Sequence, residues 1–167
     1  MKITPKTRNK LTIAKYFFLW ILFVFAAVKI KQYVLGSLTP DRKYILVNPL
    51  LSFDEAHNTG AAFNVLQNHT LLLIITAVIF IAAITVLVIW KTPKLSQSAV
   101  SAMSLLASGM TMNTFERIRY GYVIDYMTFA FADKFPLFNI ADVMIIIGAF
   151  MLAAALIWNT GRSGRRK

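Results

Sequence analysis

Asp142 stands out among the ionisable residues, because the sixteen residues after it, 143–158, carry no charge. A carboxylate next to such a run is costly near lipid and is a functional candidate by default. Asn139, three residues earlier, reads as a helix N-cap, placing Asp142 in the first turn, where the helix dipole favours negative charge. An ordinary capping acid would give the same pattern. Asp125 stands in Tyr122-Val123-Ile124-Asp125-Tyr126-Met127. An acid set among apolar neighbours has a partner or a raised pKa, unless it is the solvent face of an amphipathic strand, the commoner case. Asn113 and Arg117 are four apart and share a face if a helix runs through them. Arg117 can then pair with a carboxylate, hold a peptide carbonyl, or snorkel to an interface. Glu116 reads as an exposed ion-pair partner. Other chemistries lack parts. There is no GxSxG, P-loop or HExxH, and no cysteine for a disulfide or thiolate metal site. Two histidines, His57 and His69, leave little for a metal, so no cofactor and no metal site is expected.

Long apolar stretches must position these groups. The chain of 167 residues is 57% hydrophobic, above soluble-domain usage. Spanning a bilayer takes about 20 apolar residues. Four candidates occur, at 11–28, 70–90, 98–112 and 141–158. The third is short and rich in Ser, Ala and Met, which also fits a buried core helix. Its small residues, among them Ser101, Ala102, Ala107, Ser108 and Gly109, suit close helix packing in lipid. The first also has the makings of a secretory signal, with a basic start and Ala26-Ala27 near its end.

Net charge is +11, and its placement is more telling than its size. The N-terminal tail through Lys15, the 91–97 connection and the C-terminal tail hold eleven basic residues and no acid. Segments 29–69 and 113–142 hold the other seven basic residues and all seven acids. By the positive-inside rule the tails are cytoplasmic, and 29–69 and 113–140 face outward. The charge is thus topological, and no nucleic-acid partner is implied. In the outward segments, 44–53 and 61–66 read as strands around the Asn58-Thr59-Gly60 turn. Residues 114–139 carry aromatic rings throughout and read as packing onto the membrane surface. The last eight residues read as a disordered basic tail.

Four segments together resemble the lipoprotein signal peptidase family, signal peptidase II. Asn58-Thr59-Gly60-Ala61-Ala62-Phe63 is similar to its NxGxAF block, and Asn113-Thr114-Phe115-Glu116-Arg117 to NxxDR. Val123-Ile124-Asp125-Tyr126 is similar to VVDF, and Phe138-Asn139-Ile140-Ala141-Asp142 matches FNxAD in full. The likeness runs from about residue 20 to 158, in order and in register.

The resemblance implies a mainly α polytopic membrane protein, a single membrane domain of four transmembrane helices with a small extracytoplasmic β-sheet cradle. It implies a metal-independent aspartic endopeptidase of the bacterial inner membrane, monomeric among membrane lipids, cutting prolipoproteins before their diacylglyceryl-modified cysteine. By position the catalytic pair is Asp125 and Asp142. Two close carboxylates share a proton, and Asp142, at a helix start, is expected to be the ionised one. Asn58, Gly60, Asn113, Arg117 and Asn139 would bind substrate backbone or brace the pair. This chain also departs from the family. Where DxxxK is usual it has Ala27 and Lys31, the NxxDR acid is Glu116, and Met110, Thr111 and Met112 replace small residues. The alternatives are a catalytically impaired paralogue acting as a binding or assembly protein, which would tolerate loss of either aspartate, and a small proton or solute carrier. The carrier predicts acids near mid-bilayer, whereas every acid here lies in or beside an outward segment.

Overall fold

The computed structural model describes residues 4–38, 44–47, 50–61, 65–132 and 135–164. Helix α1, Pro5–Ser37, starts where Thr4 accepts the Thr7 amide at 3.3 Å, with Pro5 in the first turn, where its missing N–H is not needed. Two short strands follow, β1 at Tyr44–Val47 and β2 at Leu51–Asn58. Helix α2, Thr70–Lys91, leads through a 3₁₀ turn into α3, Gln97–Tyr120. The Ser96 hydroxyl caps α3 by accepting the Ala99 amide at 3.2 Å. Gly121 ends it at φ +84°, a left-handed conformation that glycine adopts without strain, and returns its amide to the Arg117 carbonyl at 3.0 Å. Strand β3, Val123–Phe129, and helix α4, Ile140–Gly164, complete the order.

Three helices, α1, α2 and α4, are long and apolar enough to cross a membrane. At 24 residues, α3 is about 36 Å long, enough to span a bilayer but for its polar residues. The packing explains those residues, because α3 lies against all three other helices. Ser104 and Ser108 are fully buried, and their hydroxyls donate to the Tyr16 and Trp20 carbonyls of α1 at 3.2 and 3.1 Å. Meanwhile Phe18, Ile79 and Phe150 point outward, Phe150 being 74% exposed. Small and polar groups inside with large apolar ones outside is the distribution a lipid solvent selects.

The seam between α3 and α4 is backbone against backbone. A Cβ on Gly109 would collide with the Ala141 carbonyl and lie 2.8 Å from Ile145 Cγ1; one on Gly148 would lie 2.9 Å from the Leu106 amide. Glycine is required at both. Gly109 lies one turn before Asn113, and Ala141 adjoins Asp142, so this contact sets the start of α4 against the end of α3.

The sheet has the order β1-β2-β3, antiparallel throughout. It differs from the sequence reading in its partners. The expected strand 44–53 is divided into β1 and the start of β2, with residues 48–49 between them outside the described residues. Of the expected strand 61–66, residues 62–64 lie outside the described residues, while Val65 and Leu66 form a turn. The partner of β2 is instead β3, with Ala56 opposite Asp125 and Asn58 opposite Val123. Helices also run past the predicted boundaries. Residues 29–37 and 113–120 are helical rather than loop, and α4 carries through most of the expected disordered tail to Gly164. Lipid-facing composition stops before a helix does, because a helix emerging from the apolar layer needs only its own hydrogen bonds to continue.

Candidate active site

The chain before α4 is laced onto β3. Phe138 accepts the Tyr126 and Met127 amides at 3.0 and 2.9 Å and returns its own amide to the Met127 carbonyl at 2.8 Å. This sets Asn139 beside Asp125. Asn139 then caps α4 in a reciprocal box. Its Oδ1 accepts the Asp142 amide at 3.1 Å, and Asp142 Oδ2 accepts the Asn139 amide at 3.1 Å. With its oxygen engaged, the Asn139 side chain can present only its NH2 elsewhere. That group donates to Asp125 Oδ1 at 2.7 Å. One asparagine thus touches both carboxylates.

Asn58, the last residue of β2, repeats this logic. Its Oδ1 accepts the Gly60 amide at 2.8 Å, so its NH2 faces Asp125 Oδ2, donating at 3.0 Å. Arg117 donates to the Gly60 carbonyl at 2.5 Å and to the Asn113 carbonyl at 3.4 Å. Asn113 donates to Asp142 Oδ1 at 2.8 Å. The bonds close a ring through Asp125, Asn58, Gly60, Arg117, Asn113, Asp142 and Asn139. All seven residues singled out from the sequence are in it.

Burial dominates the electrostatics of Asp125, which is 3% exposed. Loss of water pushes its carboxyl up to about 6. The Asn58 and Asn139 amides oppose that rise, the nearby Asp142 carboxylate adds to it, and the Arg117 cation opposes it. The ring lines one end of a cavity of about 930 Å³. Most of its remaining wall is apolar, with Leu73, Ala77 and Phe80 from α2 and Val143, Ile146 and Ile147 from α4, beside the polar His57, Gln67 and Thr76. Two buried polar atoms here have no protein partner among the described residues, Thr114 Oγ1 and Arg117 Nε. Thr114 escaped sequence reasoning, since a threonine inside a helix carries no local signal of what it faces.

Glu116 is a correction. It is not an exposed partner but a buried one, 6% exposed, and it pairs with Lys31 of α1 at 2.5 Å. Its other oxygen accepts the Ile124 amide at 2.9 Å. The expected sharing of a face by Asn113 and Arg117 holds because α3 continues to Tyr120.

Two close carboxylates braced by one amide, at the end of a helix bundle beside apolar walls, have the parts that aspartic-peptidase chemistry in a membrane requires. The signal peptidase (SPase) II family matches residues 19–158. A lipoprotein signal peptidase of Clostridium tetani is 34% identical over 140 residues, covering 81% of this chain and 88% of the relative. One from Buchnera aphidicola subsp. Schizaphis graminum is 31% identical over 156 residues, covering 87% and 98%. Among solved structures, a bacterial membrane enzyme at 24% identity aligns over 89% of this chain and 91% of its own, with a TM-score of 0.77, which speaks for the fold. The chain belongs to the signal peptidase II family and is an aspartic peptidase of the bacterial membrane.

Proposed function

We propose that Asp125 and Asp142 are the catalytic pair of this enzyme, whose family membership carries lipoprotein signal peptidase activity on prolipoproteins. The observation that carries the assignment is Asn139, whose side chain and backbone bond the two carboxylates at 2.7 and 3.1 Å. Asp142 is the ionised partner in the resting enzyme. It accepts an amide at a helix start, where the dipole favours the anion. Asp125, raised by burial to about 6, holds the shared proton. Asp142 takes a proton from water, the water oxygen bonds to the scissile carbonyl carbon, and Asp125 gives its proton to the carbonyl oxygen. In collapse, the proton on Asp142 passes to the leaving nitrogen, the C–N bond breaks, and a diol proton returns to Asp125.

The remaining groups fit a substrate entering from the membrane. Arg117 and Thr114 are among the residues lining the cavity and would contact the segment being cut. The apolar walls between α2 and α4 suit the diacylglyceryl chains on the cysteine after the scissile bond. In this reading α3 is a fourth membrane span, shielded from lipid by the other three. The tails lie in the cytoplasm, 113–140 lies outside, the enzyme is a monomer in the inner membrane, and the sheet cradles substrate at the outer face. Trp90 and Trp158, 80% and 67% exposed near the basic ends of α2 and α4, sit where interfacial tryptophans are favoured.

The test is cleavage of a diacylglyceryl-modified prolipoprotein in detergent with EDTA present. Wild type is expected to cut before the lipidated cysteine, and folded Asp125→Asn and Asp142→Asn to be inactive. Cutting by either variant would sink the pair. A well-folded but inert wild type would favour the non-catalytic paralogue.

A further inference from the structure

Behind the aspartates lies a second polar cluster that the reaction above does not use. Lys31 on α1 and Glu116 on α3 are only 15% and 8% exposed in their side chains. Glu116 is fully engaged, Oε1 with the Lys31 ammonium at 2.5 Å and Oε2 with the Ile124 amide at 2.9 Å. A buried ion pair of this kind is weak evidence for stability, because well-packed apolar residues of the same volume often serve as well or better. Its position is more informative. Ile124 immediately precedes Asp125 on β3. The β2–β3 register is irregular close by, shifting between Phe53 and Ala56, and Ala56 is the residue opposite Asp125. The irregularity falls on the Met127 side of Asp125, while Ile124 and Val123 stay in register opposite His57 and Asn58. The Ile124 amide bonds Glu116, on a helix, so α3 as well as β2 holds the peptide unit before Asp125.

We propose that Glu116, held in place by Lys31, is a positioning residue for Asp125. It pins the peptide unit leading into that aspartate and so adds to Asn58 and Asn139 in fixing its carboxyl opposite Asp142. The inference rests on the catalytic role given to Asp125. The arrangement ties α1 to the reacting pair through one carboxylate, beyond the apolar clusters that hold its Ala27 with Ala141 and its Val34 with Tyr126. A 1 Å error in placing a reacting group costs about 10²-fold in rate, so a modest slackening of β3 is enough to matter.

The test uses the full chain in detergent, with steady-state cleavage of a diacylglyceryl-modified prolipoprotein and thermal unfolding measured on each variant. Glu116→Ala is expected to lower kcat about 10²-fold with KM within about twofold, because it misplaces a catalytic group and leaves substrate contacts intact. Glu116→Asp keeps the charge but not the reach to both partners, and is expected to show the same split at smaller size. Combining Glu116→Gln with Lys31→Met keeps an acceptor for the Ile124 amide and leaves no unpaired buried charge. That pair is expected to recover most of the lost kcat. The proposal is overturned if folded Glu116→Ala or Glu116→Asp turns over at the wild-type rate, or if kcat falls only in step with the folded fraction. It is equally overturned if the double variant is folded yet no faster than Glu116→Ala. Asp125→Asn run alongside separates the two readings: if it cuts, the catalytic assignment itself has failed, whatever Glu116 does.

Discussion

Gly109→Ala is a direct test of how the bundle sets the site. The added methyl would meet the Ala141 carbonyl in a hard clash and lie 2.8 Å from Ile145 Cγ1, where ordinary contact begins at 3.4 Å. The first turn of α4 must therefore retreat by at least about 0.6 Å. Ala141 adjoins Asp142, and Gly109 is one turn from Asn113, so the retreat falls on the Asn113–Asp142 hydrogen bond. That bond, 2.8 Å now, would lengthen to about 3.4 Å, at the edge of bonding. Misplacement on this scale predicts kcat lower by about 10- to 100-fold, with a stability loss of about 1–3 kcal/mol from overpacking. Gly148→Ala is the control. Its methyl would also meet backbone, 2.9 Å from the Leu106 amide and 3.1 Å from the Ala102 carbonyl, but six residues further on, about 9 Å along the helix from Asp142. It is expected to lose similar stability while kcat stays within a few-fold. Cleavage rates in detergent and thermal unfolding decide the matter. Wild-type turnover in folded Gly109→Ala, or equal loss of turnover in both variants, refutes the reasoning.

Four further outcomes are expected. Asp125 stands at about 6 in the fold against 3.8 otherwise. Its contribution to stability is therefore full below about pH 3.8, falls as pH rises to about 6 and is level above, by on the order of 3 kcal/mol. Denaturation midpoints across that range should lose this slope in Asp125→Asn. The alkaline limb of kcat/KM should centre near 6 and move upward in Asn58→Ala, which removes a hydrogen bond that lowers the Asp125 pKa; a downward move would contradict the account. Asn139→Asp keeps the cap's acceptor but sets a third buried carboxyl against Asp125 in place of a donor, so it should lose both activity and stability, whereas Asn139→Ala should lose activity and about 1 kcal/mol from the cap. Arg117→Lys cannot serve the Gly60 and Asn113 carbonyls with one fork, and kcat/KM should drop at least tenfold, about the worth of one charged hydrogen bond.

The Asn139 cap and the place of Asp142 in the first turn of α4 were legible in the sequence because their signal is local, a cap residue three positions before an acid that opens an apolar run. Asp125 was not. Its neighbours fit an exposed strand as well as a buried one, and only the likeness to a family singled it out. Pairing of β2 with β3 joins residues some seventy positions apart, and no local pattern announces it. Glu116 was misread because adjacency to Arg117 suggested a surface pair, while its partners, Lys31 and Ile124, come from other elements. The loss of the family acid at Ala27 also has its physical setting in the packing. Ala27 is 1% exposed and packs with Met112, Ala141 and Met144. Met112 occupies that seam, and Lys31 finds its counter-charge on Glu116 of α3.

The closed ring of hydrogen bonds has a consequence for how the enzyme comes into being. Its members occur along the chain from Asn58 to Asp142, and the last of them opens the final helix. On the assignment proposed above, a chain with α1, α2 and α3 in place and β2 folded on β3 still lacks the second carboxylate and the amide that braces both. The site would then be complete only once α4 docks on α3, and assembly itself would act as the safety catch that other proteases obtain from a pro-segment.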